Sequence, residues 1–145
     1  TPTKVPVVHE ATLEDGAKDP EWVANALQRE YEKWSNTPYL YGGNTLRGTD
    51  CSSLVQKIYQ DAFDITLPRS SVDQAKLGEN VKRGACKEGD LVFFKINAKT
   101  NHSGIIVEKG KFLHSSTSEG VKISRLSNPY WKNKLVKIKR IIPQE

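Results

Sequence analysis

The most reactive side chain that this sequence puts in a definable position is Cys51. It follows a glycine-containing run, residues 39–50, and begins a segment in which apolar residues recur at helical spacing. That pattern places its thiol in the first turn of a helix. Unpaired N–H groups and the dipole at a helix start favour a thiolate, and can lower a cysteine pKa from about 8.5 to roughly 3.5–7.5. The sequence therefore predicts a nucleophilic thiolate at Cys51.

A thiol nucleophile needs a base, and two histidines, His102 and His114, lie on predicted neighbouring strands. The hairpin predicted between them has the three-residue loop 108–110, with its glycine in the left-handed conformation. In that register Val107 pairs with Lys111, and both imidazoles share one face of the sheet. A two-residue loop without a bulge would place them on opposite faces. The three-residue loop therefore predicts one site that holds the thiol and both imidazoles.

Helices are predicted in the first half of the chain. Asp19 as N-cap and Pro20 at the first helical position predict a helix that runs to about Trp34. The helix that carries the thiol comes second. A short third helix is expected between a Ser70 cap and Gly78.

After residue 89 the hydrophobic pattern becomes that of strands. Five are predicted, at residues 91–94, 103–107, 112–115, 121–124 and 136–141. Helices followed by an antiparallel sheet predict an α+β fold. A chain of 145 residues with 37% hydrophobic content suffices for one such domain. We expect a flexible tail at residues 1–18, in which His9 is inert, and a single catalytic domain at residues 19–145.

The formal net charge is +5, and no Asp or Glu occurs from Val121 to Gln144. This basic flank is either a solvated surface or an attraction for an anionic partner, such as a carboxylate-rich polymer or anionic lipid. Nucleic acid is not the expected partner, because Tyr130 and Trp131 alone make no stacking platform. No apolar run reaches the roughly 18 residues that a membrane helix requires.

The two cysteines are expected to remain unpaired. Cys51 must be free to react, and Cys86 precedes a turn into an apolar strand, where a small buried hydrophobic residue fits. Because the chain begins at Thr1 and contains no methionine, we expect a processed or trimmed sequence.

Six short motifs, in this order and spacing, resemble the NlpC-type family of cell-wall cysteine peptidases. They are Tyr-x-Tyr-Gly-Gly at 39–43, Asp-Cys-Ser at 50–52, Leu-Pro-Arg-Ser at 67–70, Gly-Asp-Leu-Val-Phe-Phe at 89–94, His-Ser-Gly-Ile at 102–105 and Phe-Leu-His-Ser at 112–115. The resemblance covers the chain from about Trp34 onward. Residues 128–132 resemble in particular the murein endopeptidase lipoproteins of Gram-negative bacteria. The implied fold is papain-like, with N-terminal helices packed on an antiparallel sheet and the nucleophile at a helix N-terminus.

The resemblance implies a catalytic role for four side chains. Cys51 would be the nucleophile, His102 the general base, and His114 the group that orients His102. Tyr39 would help to stabilise the oxyanion, together with the backbone N–H of Cys51. The chemistry agrees with general principle, because an imidazole takes the thiol proton and a second polar group fixes its tautomer.

A second set of residues would form the substrate groove. In the family, Asp50 and Ser52 flank the nucleophile and contact the substrate peptide, and Arg69 with Ser70 would border the same groove. Relatives commonly have glycine where this chain has Ser53, so fine substrate preference is open at that position.

The substrate implied by the resemblance is the short peptide of peptidoglycan, cut at an amide bond without a cofactor or metal. Either the D-Ala to diaminopimelate cross-link or the D-Glu to diaminopimelate stem bond would serve, and the resemblance to murein lipoproteins favours the cross-link. We expect a monomer exported to the periplasm or cell envelope, with room for a lipid tether upstream of Thr1.

Three other functions compete with this interpretation. Cys51, His102 and His114 could hold a catalytic zinc with an open fourth position, although they lack the close spacing of common zinc motifs. A non-catalytic cell-wall binding module could keep the fold. A thiol amidase or acyltransferase acting on another amide or a lipid is also open, because fold and triad do not fix the acyl group.

Overall fold

The computed structural model describes residues 21–143. Four α-helices occur in this range: α1 Trp22–Trp34, α2 Cys51–Phe63, α3 Ser71–Gln74 and α4 Pro129–Lys134. The strands are β1 Asn44–Thr45, β2 Gly48–Thr49, β3 Glu79–Asn80, β4 Leu91–Lys95, β5 Asn101–Glu108, β6 Lys111–Ser116, β7 Gly120–Arg125 and β8 Leu135–Arg140. A 3₁₀ turn spans Arg83–Ala85. Within the described residues no helix is both long and apolar enough to cross a membrane.

The strands form one six-stranded sheet and one small hairpin. The order in the large sheet is β3-β8-β4-β5-β6-β7, and every pairing in it is antiparallel. Strands β1 and β2 pair separately, immediately before α2. Helices that precede an antiparallel sheet confirm the predicted α+β class.

The central strands are buried on both faces, which explains their continuous apolar runs. Side chains alternate along a strand, so Phe93 of β4 joins Ile105 and the apolar faces of α1 and α2. Phe94 points the other way, into a second cluster with Phe112 and Ile138. Helix α2 thus lies against one face of the sheet, with the thiol at its first residue.

The helix boundaries agree with the sequence patterns in part. Helix α1 ends at Trp34 as predicted. The proposed cap Asp19, the residue Pro20 and the tail at 1–18 lie outside the described residues. Helix α3 begins after its predicted Ser70 cap, whose Oγ accepts a hydrogen bond from Asp73 N at 3.2 Å. It ends at Gln74, however, so the predicted end near Gly78 is wrong, since the intervening residues form turns.

The hairpin between the histidines has the predicted register and a different loop. Ile106 pairs with Phe112 as expected, but Glu108 pairs with Lys111. The loop therefore has two residues, and the predicted three-residue loop is wrong. A bulge between Ile106 and Glu108 absorbs the difference, and Gly110 supplies the positive φ of 74°. Because the bulge restores the register, both histidines still share one face of the sheet.

Candidate active site

A tightly bonded loop brings the thiol to the start of α2. Thr49 N donates to the carbonyl of Pro38 at 3.0 Å, and Asp50 N donates to the carbonyl of Gly43 at 3.1 Å. A Cβ at Gly43 would lie 2.5 Å from the Gly48 carbonyl oxygen, so the chain can pass this closely only with glycine. Ser115 Oγ, on β6, donates to the Thr49 carbonyl at 2.8 Å. The loop is therefore fixed to the sheet directly before Cys51.

The Asp50 carboxylate accepts hydrogen bonds from several groups around the start of α2. It accepts hydrogen bonds from Ser53 N at 2.9 Å, which caps α2, and from Gly42 N at 3.1 Å. Arg69 donates to both of its oxygens, at 3.2 and 2.9 Å, and also to Ser52 Oγ at 2.9 Å. The structure thus brings Asp50, Ser52 and Arg69 together. Both carboxylate oxygens of Asp50 are engaged by these groups.

Gln74 joins α3 to this group, and nothing in the sequence pattern singled it out. Its buried amide donates to the carbonyls of Ser52 at 3.0 Å and Pro68 at 2.8 Å. Ser70, the remaining predicted groove residue, uses its hydroxyl to cap α3. The wall beside the first turn of α2 is therefore held by side-chain bonds between segments distant in sequence.

A chain of hydrogen bonds links the two histidines to a serine. His102 Nε2 lies 2.8 Å from His114 Nδ1, and His114 Nε2 lies 2.8 Å from Ser124 Oγ. The interpretation of His102 and His114 as a pair anticipated the first bond. Ser124 was missed. Only the register of β6 and β7 could have identified Ser124, because in that register Lys122 lies opposite His114 and Ser124 is its diagonal neighbour.

One set of tautomers that is compatible with these hydrogen bonds leaves a base available. If His102 Nε2 carries its proton, it donates to His114 Nδ1, and His114 Nε2 then donates to Ser124 Oγ. The Nδ1 atom of His102 is left as the free acceptor of the chain. The second imidazole and the serine together orient the first, as a triad requires.

Trp131 covers the imidazole pair, and it was also missed as a site residue. Its ring stacks on His102, with centroids 5.2 Å apart and planes 24° apart, and meets His114 edge-on at 5.0 Å. Helix α4 positions it, and Asn128 caps that helix through a 2.9 Å bond from Tyr130 N. The sequence marked residues 128–132 only as part of a resemblance, and a long-range ring contact leaves no local pattern.

Burial dominates the electrostatics of the site. It lowers the pKa of His102 to about 4, and it lowers that of His114 to about 3, with smaller effects from His102 and Lys122. Burial also raises the pKa of the Cys51 thiol, and the neighbouring N–H and hydroxyl of Ser103 oppose that rise. The lowered thiol pKa predicted from the helix start is therefore wrong. The resting site holds a neutral thiol and neutral imidazoles.

The sulfur of Cys51 lies against Ser103, the residue that follows His102 on β5. Tyr39 forms an isolated β-bridge with Thr49, two residues before Cys51. Burial, with the charges of Cys51 and Asp50, raises the pKa of Tyr39, so its phenol stays protonated and able to donate. Tyr39 is therefore close enough to Cys51 for the charge of the sulfur to affect its pKa.

A cavity of about 290 Å³ opens beside His102. Its apolar wall includes Val72 of α3, Phe94 of β4 and Val136 of β8, and its polar lining includes Asn101 and Lys137. A mostly apolar pocket with a few polar groups at its edge is the usual form of a ligand subsite. The cavity therefore provides room for a substrate segment on the histidine side of the site.

The zinc alternative finds no support in the positions of the side chains. Across residues 21–143, no group of three or more His, Cys, Asp or Glu side chains is placed to hold a metal ion. His102 and His114 turn a nitrogen towards each other at 2.8 Å instead of towards a common point. Both cysteines are free thiols, and Cys86 is partly buried, with its Sγ donating to the Arg83 carbonyl at 3.2 Å.

A thiol at a helix start, with linked imidazoles on an antiparallel sheet, defines a papain-like thiol hydrolase fold. The NlpC/P60 family model matches residues 36–140, and the chain belongs to that family. A solved NLP/P60 family protein from Staphylococcus aureus, described as similar to lipoprotein, superposes with a TM-score of 0.74 at 31% identity. That match covers 87% of this chain and 43% of the other.

Three curated relatives are similar over most of this chain. A probable endopeptidase from Haemophilus influenzae is 44% identical over 117 residues, covering 79% of this chain and 73% of the relative. The Escherichia coli murein DD-endopeptidase MepS/murein LD-carboxypeptidase is 37% identical over 120 residues, covering 83% and 64%. The gamma-DL-glutamyl hydrolase of Bacillus subtilis is 43% identical over 136 residues, covering 89% and 33%. The chain thus spans less than two thirds of the last two proteins.

Proposed function

We propose that this protein is a cysteine peptidase that hydrolyses amide bonds in the peptides of peptidoglycan. The observation that carries the proposal is the pair of hydrogen-bonded imidazoles, His102 and His114, together with the contact of the Cys51 thiol with Ser103, the residue that follows His102 on β5. Family membership and the murein endopeptidase name of one relative support the substrate.

Catalysis begins from the neutral pair. Nδ1 of His102 accepts the Cys51 proton as sulfur attacks the carbonyl carbon, and His114 stabilises the imidazolium by accepting from Nε2. The Tyr39 hydroxyl and the Cys51 N–H donate to the oxyanion. His102 then gives its proton to the leaving amine as the C–N bond breaks. Water, deprotonated by the same imidazole, hydrolyses the thioester and releases the free thiol.

The two halves of the substrate occupy different sides of the site. The leaving amine must lie near His102, because His102 protonates it, and the cavity beside that residue accommodates this half. The acyl half lies along the wall that contains Ser52, Arg69 and Ser70. Arg69 is the exposed cation there, with 43% of its side chain accessible, and suits a substrate carboxylate.

The D-Ala to diaminopimelate cross-link is the favoured bond, since MepS is named a DD-endopeptidase. A γ-glutamyl bond of the stem peptide is the second candidate. A specific observation favours it, because the gamma-DL-glutamyl hydrolase matches a larger share of this chain, 89%, at 43% identity. Both candidates use the same attack on an amide carbonyl, and differ in the groups that flank it.

We further infer that the protein works as a monomer in the periplasm or cell envelope, because its polymeric substrate lies there. A lipid tether upstream of Thr1 is part of this proposal. The basic residues of the flank, such as Lys132, Lys134 and Lys137, raise the local concentration of a carboxylate-rich polymer around the site.

The test is to digest muropeptides of defined cross-linking and to identify the products by mass. Cleavage of the cross-link converts dimers into monomers with intact stems, whereas cleavage of the stem bond shortens the monomers. Cys51→Ala and His102→Ala should lose turnover, while Cys86→Ala, the matched cysteine control, should retain it. Iodoacetamide should abolish activity and a chelator should not.

Each competing function has its own outcome in this assay. A binding module would retain sacculi without releasing any product. An acyltransferase would act only when an acceptor or lipid amide is supplied. Equal product release by wild-type and Cys51→Ala proteins would overturn the proposed mechanism.

A further inference from the structure

Ser103 carries a buried hydroxyl that makes no structural hydrogen bond. The residue is fully buried, and among residues 21–143 its Oγ has no hydrogen-bond partner. Buried polar groups are nearly always paired, so a native exception needs an explanation. At an active site, one explanation is a partner that becomes available only during the reaction.

The surroundings of Ser103 identify that partner. His102 faces the cluster that contains Phe94, and the next residue along β5 points to the opposite face of the sheet. On that face Ile105 packs with the apolar residues of α2. Cys51 begins α2, and its sulfur is the titratable group on which the Ser103 N–H and hydroxyl act. Ser103 is therefore the residue of β5 on the face of the sheet against which the helix of the nucleophile packs.

We propose that the Ser103 hydroxyl is a catalytic hydrogen-bond donor that holds the Cys51 thiolate as the sulfur loses its proton. A neutral thiol is a weak acceptor, so the hydroxyl has no strong bond in the resting state. When His102 removes the thiol proton, the sulfur becomes an anion and accepts from Ser103 Oγ and Ser103 N. The serine keeps its own proton throughout. This inference rests on the proposed function only in naming the reaction that uses the thiolate.

The test measures thiolate formation without any substrate. In a Cys86→Ala background, which leaves one thiol, the rate of alkylation by iodoacetamide is followed against pH. Ser103→Ala should move the half-maximal rate upward by about one pH unit, so that alkylation near neutral pH is about tenfold slower. Thermal unfolding should stay equal or rise, because the substitution removes an unpaired buried hydroxyl. A structural hydroxyl would change stability in the other direction and leave the pH profile in place.

Ser53 offers a matched control in the first turn of α2. It is also fully buried and its Oγ also lacks a partner among the described residues. Ser53→Ala should leave the alkylation profile unchanged. Ser103→Thr keeps the hydroxyl and should retain the wild-type alkylation profile. This variant provides a second test if the alanine variant folds poorly.

Two results would overturn the proposal. One is a Ser103→Ala profile that superposes on that of the parent protein. The other is an equal shift in Ser53→Ala. Because alkylation needs no peptide, either result leaves the muropeptide assay to decide the proposed function separately.

Discussion

Trp131 lies against the imidazole of His102, with ring centroids 5.2 Å apart and planes 24° apart. The same indole meets His114 edge-on and packs against Phe94 and Phe112. It therefore covers the hydrogen bond between the two imidazoles. Excluding water from that bond strengthens it and keeps both rings uncharged.

Replacing Trp131 should change the ionisation and orientation of His102 more than the binding of substrate. In Trp131→Ala, water reaches His102, so its pKa should rise from about 4 towards the ordinary 6.5. The acid limb of kcat/KM should move upward with it, and kcat should fall by about tenfold because His102 is less firmly oriented. The measurement is a pH–rate profile on a defined muropeptide.

Trp22 is the matched control for that substitution. It is a partly buried tryptophan whose ring contacts Phe63 edge-on, in the cluster that contains α1 and α2 and not in the cluster of Phe94 and Phe112 that Trp131 joins. Trp22→Ala should lower the unfolding temperature and leave the acid limb unchanged. If Trp131→Ala also left the acid limb unchanged, the covering role of the indole would be refuted.

The bond between Asp50 and Arg69 should prove structural in a double-mutant cycle. Asp50→Asn retains a good helix cap and removes the charge that Arg69 contacts. With Arg69→Gln as the second change, the coupling free energy of unfolding should be about 1 kcal/mol, because the pair is bidentate and Asp50 is nearly buried. Chemical denaturation of the four proteins measures this coupling.

Asp73 and Lys76 form the control pair on α3 and the turn after it. Their side chains are 57% and 59% exposed at a separation of 3.3 Å, so their coupling should be close to zero. A near-zero coupling for Asp50 and Arg69 as well would show that Arg69 does not stabilise the fold through Asp50 and that its role is to bind substrate. In that case Arg69→Gln would raise KM without changing stability.

The sequence patterns were sufficient where the relevant contacts are local. The change from helical to alternating periodicity predicted the main strands, and the helical spacing of apolar residues after Cys51 predicted the start of α2. The register that joins His102 to His114 was also predictable. Its loop length was not, because a bulge and a longer loop produce the same register.

Contacts between distant segments account for what the patterns missed. Ser124 and Trp131 reach the imidazoles from β7 and α4, so neither has a local signature. The thiol pKa was mispredicted for a related reason. A helix start favours the thiolate, but the burial that outweighs it depends on how the whole domain packs around Cys51.

Ser124 should influence turnover through the tautomer of His114. Ser124→Ala removes the acceptor of the 2.8 Å bond to His114 Nε2, so His114 can exchange tautomers and turn Nδ1–H towards His102. That arrangement opposes the proton on His102 Nε2. We expect kcat to fall by about fivefold to tenfold with little change in KM, since one orienting hydrogen bond is worth about 1 kcal/mol.

Ser124→Thr, which keeps a hydroxyl, should recover most of that loss. Ser118→Ala, at an exposed serine in the β6–β7 turn, should have no effect on kcat. NMR of the imidazole nitrogens would report the tautomer of His114 directly. A single unchanged tautomer in Ser124→Ala would exclude the role assigned to the serine.

The buried histidines also predict how stability depends on pH. In the folded protein their pKa values are about 4 for His102 and about 3 for His114, below the ordinary 6.5 that applies to the unfolded chain. Between pH 6.5 and about 4 the unfolded chain therefore binds more protons than the folded one. The free energy of unfolding is largest above pH 6.5 and falls as the pH drops through this window.

Thermal unfolding from about pH 7.5 down to about pH 4 should follow that dependence, with a falling midpoint that starts near the ordinary histidine pKa of about 6.5. The variant His102→Gln with His114→Gln removes both groups and should flatten the curve across the same range. As long as the protein stays folded, its activity should persist as the pH falls to about 4, since His102 remains a neutral base down to that pH. A midpoint independent of pH in the wild-type protein, above the range where carboxylates titrate, would mean that the imidazoles are accessible to water and not buried as described.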